Sequence, residues 1–338
     1  MAQSFGSPET TTGPIRWGII GTGGIAESFA ADLRQEPAAG KLVAIASRTV
    51  ERAEAFAQRV GAPRGYGTHE QLVADPQIDA VYIAVPHAAH HCAVRLALSA
   101  DKAVLLEKPF TVNRREAEDL VDLARSRGVF LMEAMWTRFL PHMVAIRRLL
   151  SQGRLGELRL VLAEHGVWFR YDPTHRMFDP ALAGGALLDL GVYAISLASM
   201  VLGEPAEVIA AAAFGDTGVD TQTAITLRYP GGQQAVTASS MEAWLPNRAT
   251  IAGRDARIDL DGMFYRPTSF TLTDRHGAVE RYEWTVPGGG MQFEALEVAR
   301  CLHAGLIESP SMSLDDTVSI MGILDRVRRS VGLRYPGE

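Results

Sequence analysis

Six residues constrain this chain more than any others. Gly21-Thr22-Gly23-Gly24-Ile25-Ala26 has the form G-x-G-x-x-G/A; it follows the apolar run Ile15 to Ile20 and opens a helical pattern that runs from Ile25 to about Leu33. The motif carries meaning only in that strand–turn–helix setting. Gly21 permits the tight turn, Gly23 lets a pyrophosphate approach the backbone, and the small Ala26 allows close helix–strand packing. The helix N-terminus adds N–H donors and positive potential. The loop therefore predicts a dinucleotide site beginning at Gly21, Thr22, Gly23, Gly24 and Ile25.

The pattern that follows fits such a site. Leu42 to Ala46, Ala80 to Val85, Ala103 to Leu106 and Val129 to Met132 read as strands. Helical stretches separate them: one to about Val60 capped by Thr49, one from His87 to Ser99, and one to Arg127 with Asn113 and Glu116 as a capping box. Strand–helix–strand repetition implies a parallel, doubly wound sheet covered on both faces. The second half differs. Leu158 to Glu164, Glu207 to Phe214, Thr221 to Tyr229, Gln234 to Ser240, Thr250 to Ile251 with Arg257 to Leu260, Ser269 to Thr273 and Val279 to Trp284 read as strands with hairpin connectors. They predict a large, open, mostly antiparallel sheet with helices at Phe293 to Ala304 and Leu314 to Arg329, the latter capped by Ser313 with Asp316. The expected organisation is a disordered tail over 1–13, an α/β nucleotide-binding domain over 14–138, and an α+β substrate and oligomerisation domain over 139–338.

The end of the second strand bears on which dinucleotide binds. An NAD site usually has Asp or Glu here for the ribose 2′-hydroxyl. This chain has Ser47-Arg48-Thr49, with Arg52 in the next turn. A guanidinium and two hydroxyls suit a 2′-phosphate, which predicts NADP, with NAD possible.

Two further elements carry polar groups where chemistry is expected. Glu107-Lys108-Pro109 follows the strand Ala103 to Leu106, and ligands of parallel sheets bind beyond the strands' carboxyl ends. Gly184-Gly185-Ala186-Leu187-Leu188-Asp189-Leu190-Gly191-Val192-Tyr193 places Asp189 and Tyr193 four apart, on one face if helical. Oxidising an alcohol needs hydride transfer and a proton acceptor. A free tyrosine, with pKa about 10, is too weak a base at neutral pH, and a neighbouring ammonium would lower that value. Either Tyr193 or Lys108 moves the proton; the residues leave both assignments open.

These motifs together resemble the Gfo/Idh/MocA oxidoreductases, the family of glucose–fructose oxidoreductase and inositol dehydrogenase. The resemblance runs through the glycine loop, Tyr66 to Pro76, Asp79 to Pro86, His87-Ala-Ala-His90, Glu107-Lys108-Pro109 and Gly184 to Tyr193. Glu133-Ala-Met-Trp-Thr-Arg-Phe-Leu-Pro141, Arg176 to Pro180, and Tyr193 where many relatives have His, are similar to the dimeric dihydrodiol dehydrogenase branch, which includes NADP-dependent xylose dehydrogenases. The resemblance implies a Rossmann domain and a catalytic group of Lys108, Asp189 and Tyr193. It also implies cofactor contacts from Val85, Pro86, His87, His90, Glu107, Lys108, Trp136 and Arg138, and substrate contacts from Trp168 and Arg176. The implied substrate is a sugar, polyol or cyclic diol. A non-catalytic NAD(P)-binding sensor and an NAD-dependent glycoside hydrolase remain as alternatives on the same scaffold.

Composition narrows the setting. The 338 residues carry a formal net charge of −6 without a basic tract, which disfavours nucleic acid and anionic membrane as partners. Cys92 and Cys301 stand far apart without metal or redox spacing, consistent with a reducing cytosol. Gly184 to Gly203 is apolar, but Asp189 argues for a buried helix over a membrane span. His87, His90 and His91 have ligand-compatible spacing but lie beside the expected cofactor, so no metal is assigned to them. An exposed flat sheet is costly to leave uncovered, which predicts a homodimer or higher assembly.

Overall fold

Apolar runs punctuated by glycines and helix caps fold as an alternating series. The computed structural model describes residues 13–337, so the tail predicted over 1–13 lies almost wholly outside the described residues. The series runs β1 (Arg16–Ile20), α1 (Gly24–Leu33), β2 (Lys41–Ala46), α2 (Val50–Val60), β3 (Arg64–Tyr66), α3 (His69–Val73), β4 (Ala80–Ile83), α4 (His90–Ser99), β5 (Ala103–Glu107), α5 (Arg114–Arg127) and β6 (Leu131–Ala134). The caps are local. Thr49 Oγ1 accepts the Arg52 N–H, and Asn113 Oδ1 accepts the Glu116 N–H at 3.0 Å. α2 and α5 stop at Gly61 and Gly128, both left-handed.

All six strands pair in parallel, in the order β3-β2-β1-β4-β5-β6. The order reverses between β1 and β4, which opens a crevice at their carboxyl ends. Two elements here escaped the sequence pattern. β3 has only three half-buried residues, and α3 only five. β3 exists because Gly65 lets α2 come close: a Cβ there would lie 2.7 Å from the Glu54 amide nitrogen.

The second half adds α6 (Pro141–Ser151), β7 (Leu158–Gly166), α7 (Val192–Leu202), β8 (Glu207–Phe214), β9 (Asp220–Arg228), β10 (Gln234–Ser240), β11 (Ala249–Gly253), β12 (Ala256–Leu260), β13 (Phe270–Asp274), β14 (Val279–Tyr282), α8 (Gln292–His303) and α9 (Leu314–Val331). Its eight strands run β14-β13-β12-β11-β7-β10-β9-β8, antiparallel except for β7 beside β10. Period-two alternation sends Val161, Ala163, His165, Ile225, Leu227 and Ile251 inward. The opposite face is open. Ile209, Thr226, Val236 and Leu162 form one row across four strands there, and the three apolar members are 41–51% exposed.

The last two helices return to the first sheet. α8 packs on α1, and α9 on α5 and β6. Asp32 of α1 accepts the Gly289 and Met291 amides that lead into α8. The apolar segment Pro180–Leu202 is long enough to cross a membrane by composition, but 83% of its most apolar window is buried inside the protein.

Candidate active site

The glycine loop sits at the β1–α1 turn, in the crevice. Gly21 has φ of +118°, and a Cβ there would lie 2.2 Å from Ala84 O of the β4 loop, so the fold itself demands glycine. Gly23 and Gly24 differ: a Cβ on either would meet nothing within 4 Å. The space above them is open, and no side chain caps the first turn of α1. Unsatisfied helix N–H groups facing open space fit a pyrophosphate. Thr22 Oγ1 and Ser47 Oγ approach to 3.4 Å at the end of β2. Arg48 and Arg52 are exposed and, among the described residues, form no ion pair. Thr49 Oγ1 accepts the α2 cap bond, a role that does not use its O–H. The donor set fits NADP: open amides for the pyrophosphate and two unpaired guanidinium groups for a further phosphate.

The histidines after β4 are tied to the protein. His90 is fully buried, with Nδ1 3.0 Å from Pro109 O and Nε2 3.0 Å from Val85 O. It thereby joins the β4 and β5 loops, and burial lowers its pKa to about 3. His87 has Nδ1 3.0 Å from Ala183 O and Nε2 3.6 Å from Asp189 Oδ1. His91 faces Asp119 on the surface.

At the end of β5, Lys108 reaches across to the second domain. Its ammonium donates to Asp189 O at 2.9 Å and to Oδ1 at 3.2 Å, and lies 4.8 Å from the centre of the Tyr193 ring. The Lys108–Pro109 bond is cis. Arg176 donates to both Asp189 oxygens at 3.3 Å. Trp136 Nε1 donates to the Tyr193 hydroxyl at 3.1 Å. Asp189 does not sit in a regular α-helix as expected: Leu187–Gly191 is a π turn that runs into α7. Such wide turns concentrate at functional sites. This one sends both Asp189 and Tyr193 towards Lys108.

Burial opposes charge on Lys108, Asp189 and Tyr193; pairing overcomes it at the first two and not at the third. Burial disfavours the Lys108 ammonium, but Asp189, Tyr193 and Glu107 outweigh it and hold its pKa above the ordinary lysine value. Burial likewise opposes charge on Asp189, yet Lys108, His87 and Arg176 keep the carboxyl well below the usual range. Tyr193 corrects an expectation. Lys108 does favour its phenolate, but burial is the larger effect and pushes the phenol up to about 12. At neutral pH both Lys108 and Tyr193 are therefore protonated.

Other expected contacts are distributed differently. Arg138 does not join the cluster: it is buried, with its guanidinium 3.4 Å from Ser196 Oγ and 3.3 Å from Asp316 Oδ2 of α9. Its cation thus serves the junction between the two halves. The Glu107 carboxylate turns inward, accepting from Tyr82 and from the Lys108 amide. Val85 and Pro86 line the β4 loop, Val85 half-buried and Pro86 exposed. Trp168 is 58% exposed, beside a cleft of about 510 Å³ lined by Phe169, Arg170, Tyr171 and His175. Two residues escaped the sequence reading. His165, at the end of β7, stacks on Tyr265 at 4.0 Å and meets Tyr193 edge-on at 5.2 Å. Burial holds His165 at about 4, so it is neutral. Nothing in the local pattern distinguishes these two from core residues.

Comparison with known proteins gives the family and the fold. The family described as "Oxidoreductase family, NAD-binding Rossmann fold" matches residues 15–135, and the corresponding Gfo/Idh/MocA C-terminal domain matches residues 143–259. The chain belongs to the Gfo/Idh/MocA oxidoreductases. Among its relatives, trans-1,2-dihydrobenzene-1,2-diol dehydrogenase of Bos taurus is 39% identical over 334 residues, covering 96% of this chain and 99% of that one. The Homo sapiens protein of the same name is 38% identical over 337 residues, with the same coverage. Among solved structures, a 3-ketoreductase from Actinomadura kijaniata in complex with NADP and TDP-benzene superposes with a TM-score of 0.81 at 30% identity, covering 94% of this chain and 98% of that one. This Gfo/Idh/MocA member thus shares both its domains and nearly its whole length with named dehydrogenases.

Proposed function

We propose that this oxidoreductase transfers hydride between NADP and a hydroxyl-bearing carbon of a cyclic diol, sugar or polyol, with Lys108, Tyr193 and Asp189 handling the proton. The observation that carries the reading is the Lys108–Asp189–Tyr193 cluster, held at the carboxyl end of β5 beside the glycine-loop crevice. The bound cofactor supplies the hydride chemistry at nicotinamide C4. Gly21, Thr22, Gly23, Gly24 and Ile25 would hold its pyrophosphate, and Ser47, Arg48, Thr49 and Arg52 its adenosine end. The open first turn of α1 and the two unpaired guanidinium groups support this assignment. Relatives named as dihydrodiol dehydrogenases and a ketoreductase solved with NADP support the substrate class and the coenzyme.

In the reducing direction the carbonyl oxygen takes a proton as the carbon takes hydride. Tyr193 donates that proton, and the Lys108 ammonium stabilises the phenolate left behind. Asp189 holds Lys108 charged, while Arg176 and Trp168 face the substrate. Both donors are protonated at neutral pH, which favours this direction. In the oxidising direction Tyr193 must first lose its proton, so oxidation accelerates as pH rises.

We place the enzyme in a reducing cytosol as a homodimer, with the outer face of the second sheet around Ile209, Val236 and Leu162 as the contact. The direct test is a screen of NADP⁺ and NAD⁺ reduction across trans-dihydrodiols, aldoses and inositols, with cyclic ketones in reverse. The expected result is NADP-preferring turnover on at least one class. Coenzyme binding without turnover on any of them would favour the sensor reading. Sugar release from glycosides without net reduction would favour hydrolysis.

A further inference from the structure

The π turn that delivers Asp189 to Lys108 is held from below by a carboxyl group in the opposite sheet. Asp220, the first residue of β9, is completely buried. Its Oδ2 accepts the Leu187 N–H at 2.7 Å and the Thr223 hydroxyl at 2.9 Å. Leu187 is the first residue of the π turn, so this N–H has no partner within the helix. The other oxygen presses on the glycines before the turn. A Cβ on Gly185 would lie 2.2 Å from Asp220 Oδ1, and Gly185 also has φ of +112°. On the far side, a Cβ on Gly184 would lie 2.5 Å from Arg176 O, and the Gly185 amide donates to Met177 O at 2.9 Å. The Gly184–Gly185 segment is thus wedged between Asp220 and the short 3-10 turn Arg176–Phe178. Further along, Gly191 rests on β10, where a Cβ would lie 3.1 Å from Ser239 Oγ.

Asp220 is an expensive way to make one helix-cap bond. Its Oδ1 has no hydrogen-bond partner among the described residues, and burial pushes the carboxyl up to about 7. A buried, incompletely satisfied carboxyl opposes folding unless something depends on where it sits. What depends on it here is the placement of Asp189 two residues beyond Leu187. Arg176, on the other side of the glycines, grips the same Asp189 carboxylate.

We propose that Asp220 is a positioning residue: through the Leu187 amide and the Gly184–Gly185 wedge it fixes the π turn so that Asp189 lies against Lys108. The inference rests on the proposed role of Lys108 and Asp189 in proton handling. Without the Asp220 carboxyl the turn relaxes, Asp189 withdraws, and Lys108 loses the partner that keeps it charged.

The test uses Asp220→Ala, Asp220→Asn, and Leu227→Ala as a control. Leu227 is a fully buried residue of the same strand, so its truncation lowers stability without touching the π turn. The first readout needs no turnover: the Lys108 titration, followed by NMR after reductive ¹³C-methylation and assigned with Lys108→Ala. In Asp220→Ala this titration moves to lower pH, while in Leu227→Ala it stays. The second readout is steady-state kinetics. Asp220→Ala lowers kcat by roughly 10- to 100-fold, as expected for a misplaced catalytic group. NADPH affinity by fluorescence titration stays within about twofold, since the cradle is in the other sheet. Asp220→Asn keeps an acceptor for the Leu187 amide and regains most of the rate. An unchanged Lys108 titration in Asp220→Ala overturns the proposal, as does a loss of kcat matched by Leu227→Ala. If the unsubstituted enzyme turned over no alcohol or ketone, the functional reading would fall while the titration still decided the role of Asp220.

Discussion

The two ends of the site treat charge in opposite ways. At the coenzyme end, the first turn of α1 is open and uncapped, and Arg48 and Arg52 stand exposed without ion-pair partners. At the proposed proton-handling end the central charges are buried and engaged, Lys108 on Asp189 and Asp189 on His87, and only Arg176, which also grips Asp189, reaches solvent. The contrast follows from the role proposed for each end. A polyanion brings its own counter-charge, so the protein leaves cations waiting. A proton donor has to keep a defined state before the substrate arrives, so the protein supplies the counter-charge itself.

The sharpest way to break this contrast is to remove Lys108. Lys108→Ala is expected to cut kcat/KM by about 10³- to 10⁴-fold, with NADPH binding largely retained; stopped-flow hydride transfer and fluorescence titration read the two separately. Loss of coenzyme affinity in step with rate would show the two ends to be one. Tyr193→Phe is expected to lower kcat by about 10²- to 10³-fold, and a near-normal rate would pass the proton role to Lys108.

Asp189→Asn sharpens the electrostatic claim. Asp189 raises the Lys108 pKa, so its removal moves the basic limb of the reduction rate to lower pH. The stability signs follow. The depressed Asp189 contributes stability above its unfolded pKa of about 3.9, lost as pH falls through the folded value; the raised Lys108 contributes below its unfolded pKa of about 10.4, lost as pH rises through the folded one. Thermal melts of Asp189→Asn are therefore expected to lie below those of the parent between these limits and to converge with it in acid. Arg48→Ala tests the other end. It is expected to reduce the NADP over NAD preference by roughly 10- to 100-fold, the worth of a charge-assisted bond to phosphate, leaving kcat with saturating NADP unchanged. The smallest effect is on salt. KM for NADP is expected to rise by less than about tenfold between 0.05 and 0.5 M NaCl, and more than KM for NAD, because only the exposed cations are screened.

Much of the coenzyme end was legible locally. The glycine spacing, the Ser47-Arg48-Thr49 run and the caps at Thr49 and Asn113 depend on neighbours a few residues away. β3 and α3 were not legible, because three and five residues carry no period and Gly65 gains its meaning only from α2. At the proton-handling end the residue types stood out as polar groups in apolar runs. Their arrangement did not, and the Tyr193 phenol went the other way because burial outweighed the neighbouring ammonium.

The chain's sequence by itself determined the alternating first half, the strand-rich second half and the glycine turn, since these follow from spacing and side-chain chemistry within single elements, whereas Lys108, Asp189 and Tyr193 were singled out as a group only by the family resemblance. Only the tertiary structure decided that Arg138 serves the interior, that His165 and Tyr265 wall the phenol, and that Asp220 underlies the π turn. Those outcomes rest on desolvation and on contacts between residues tens to more than a hundred positions apart, and no local pattern encodes how much water a group will lose.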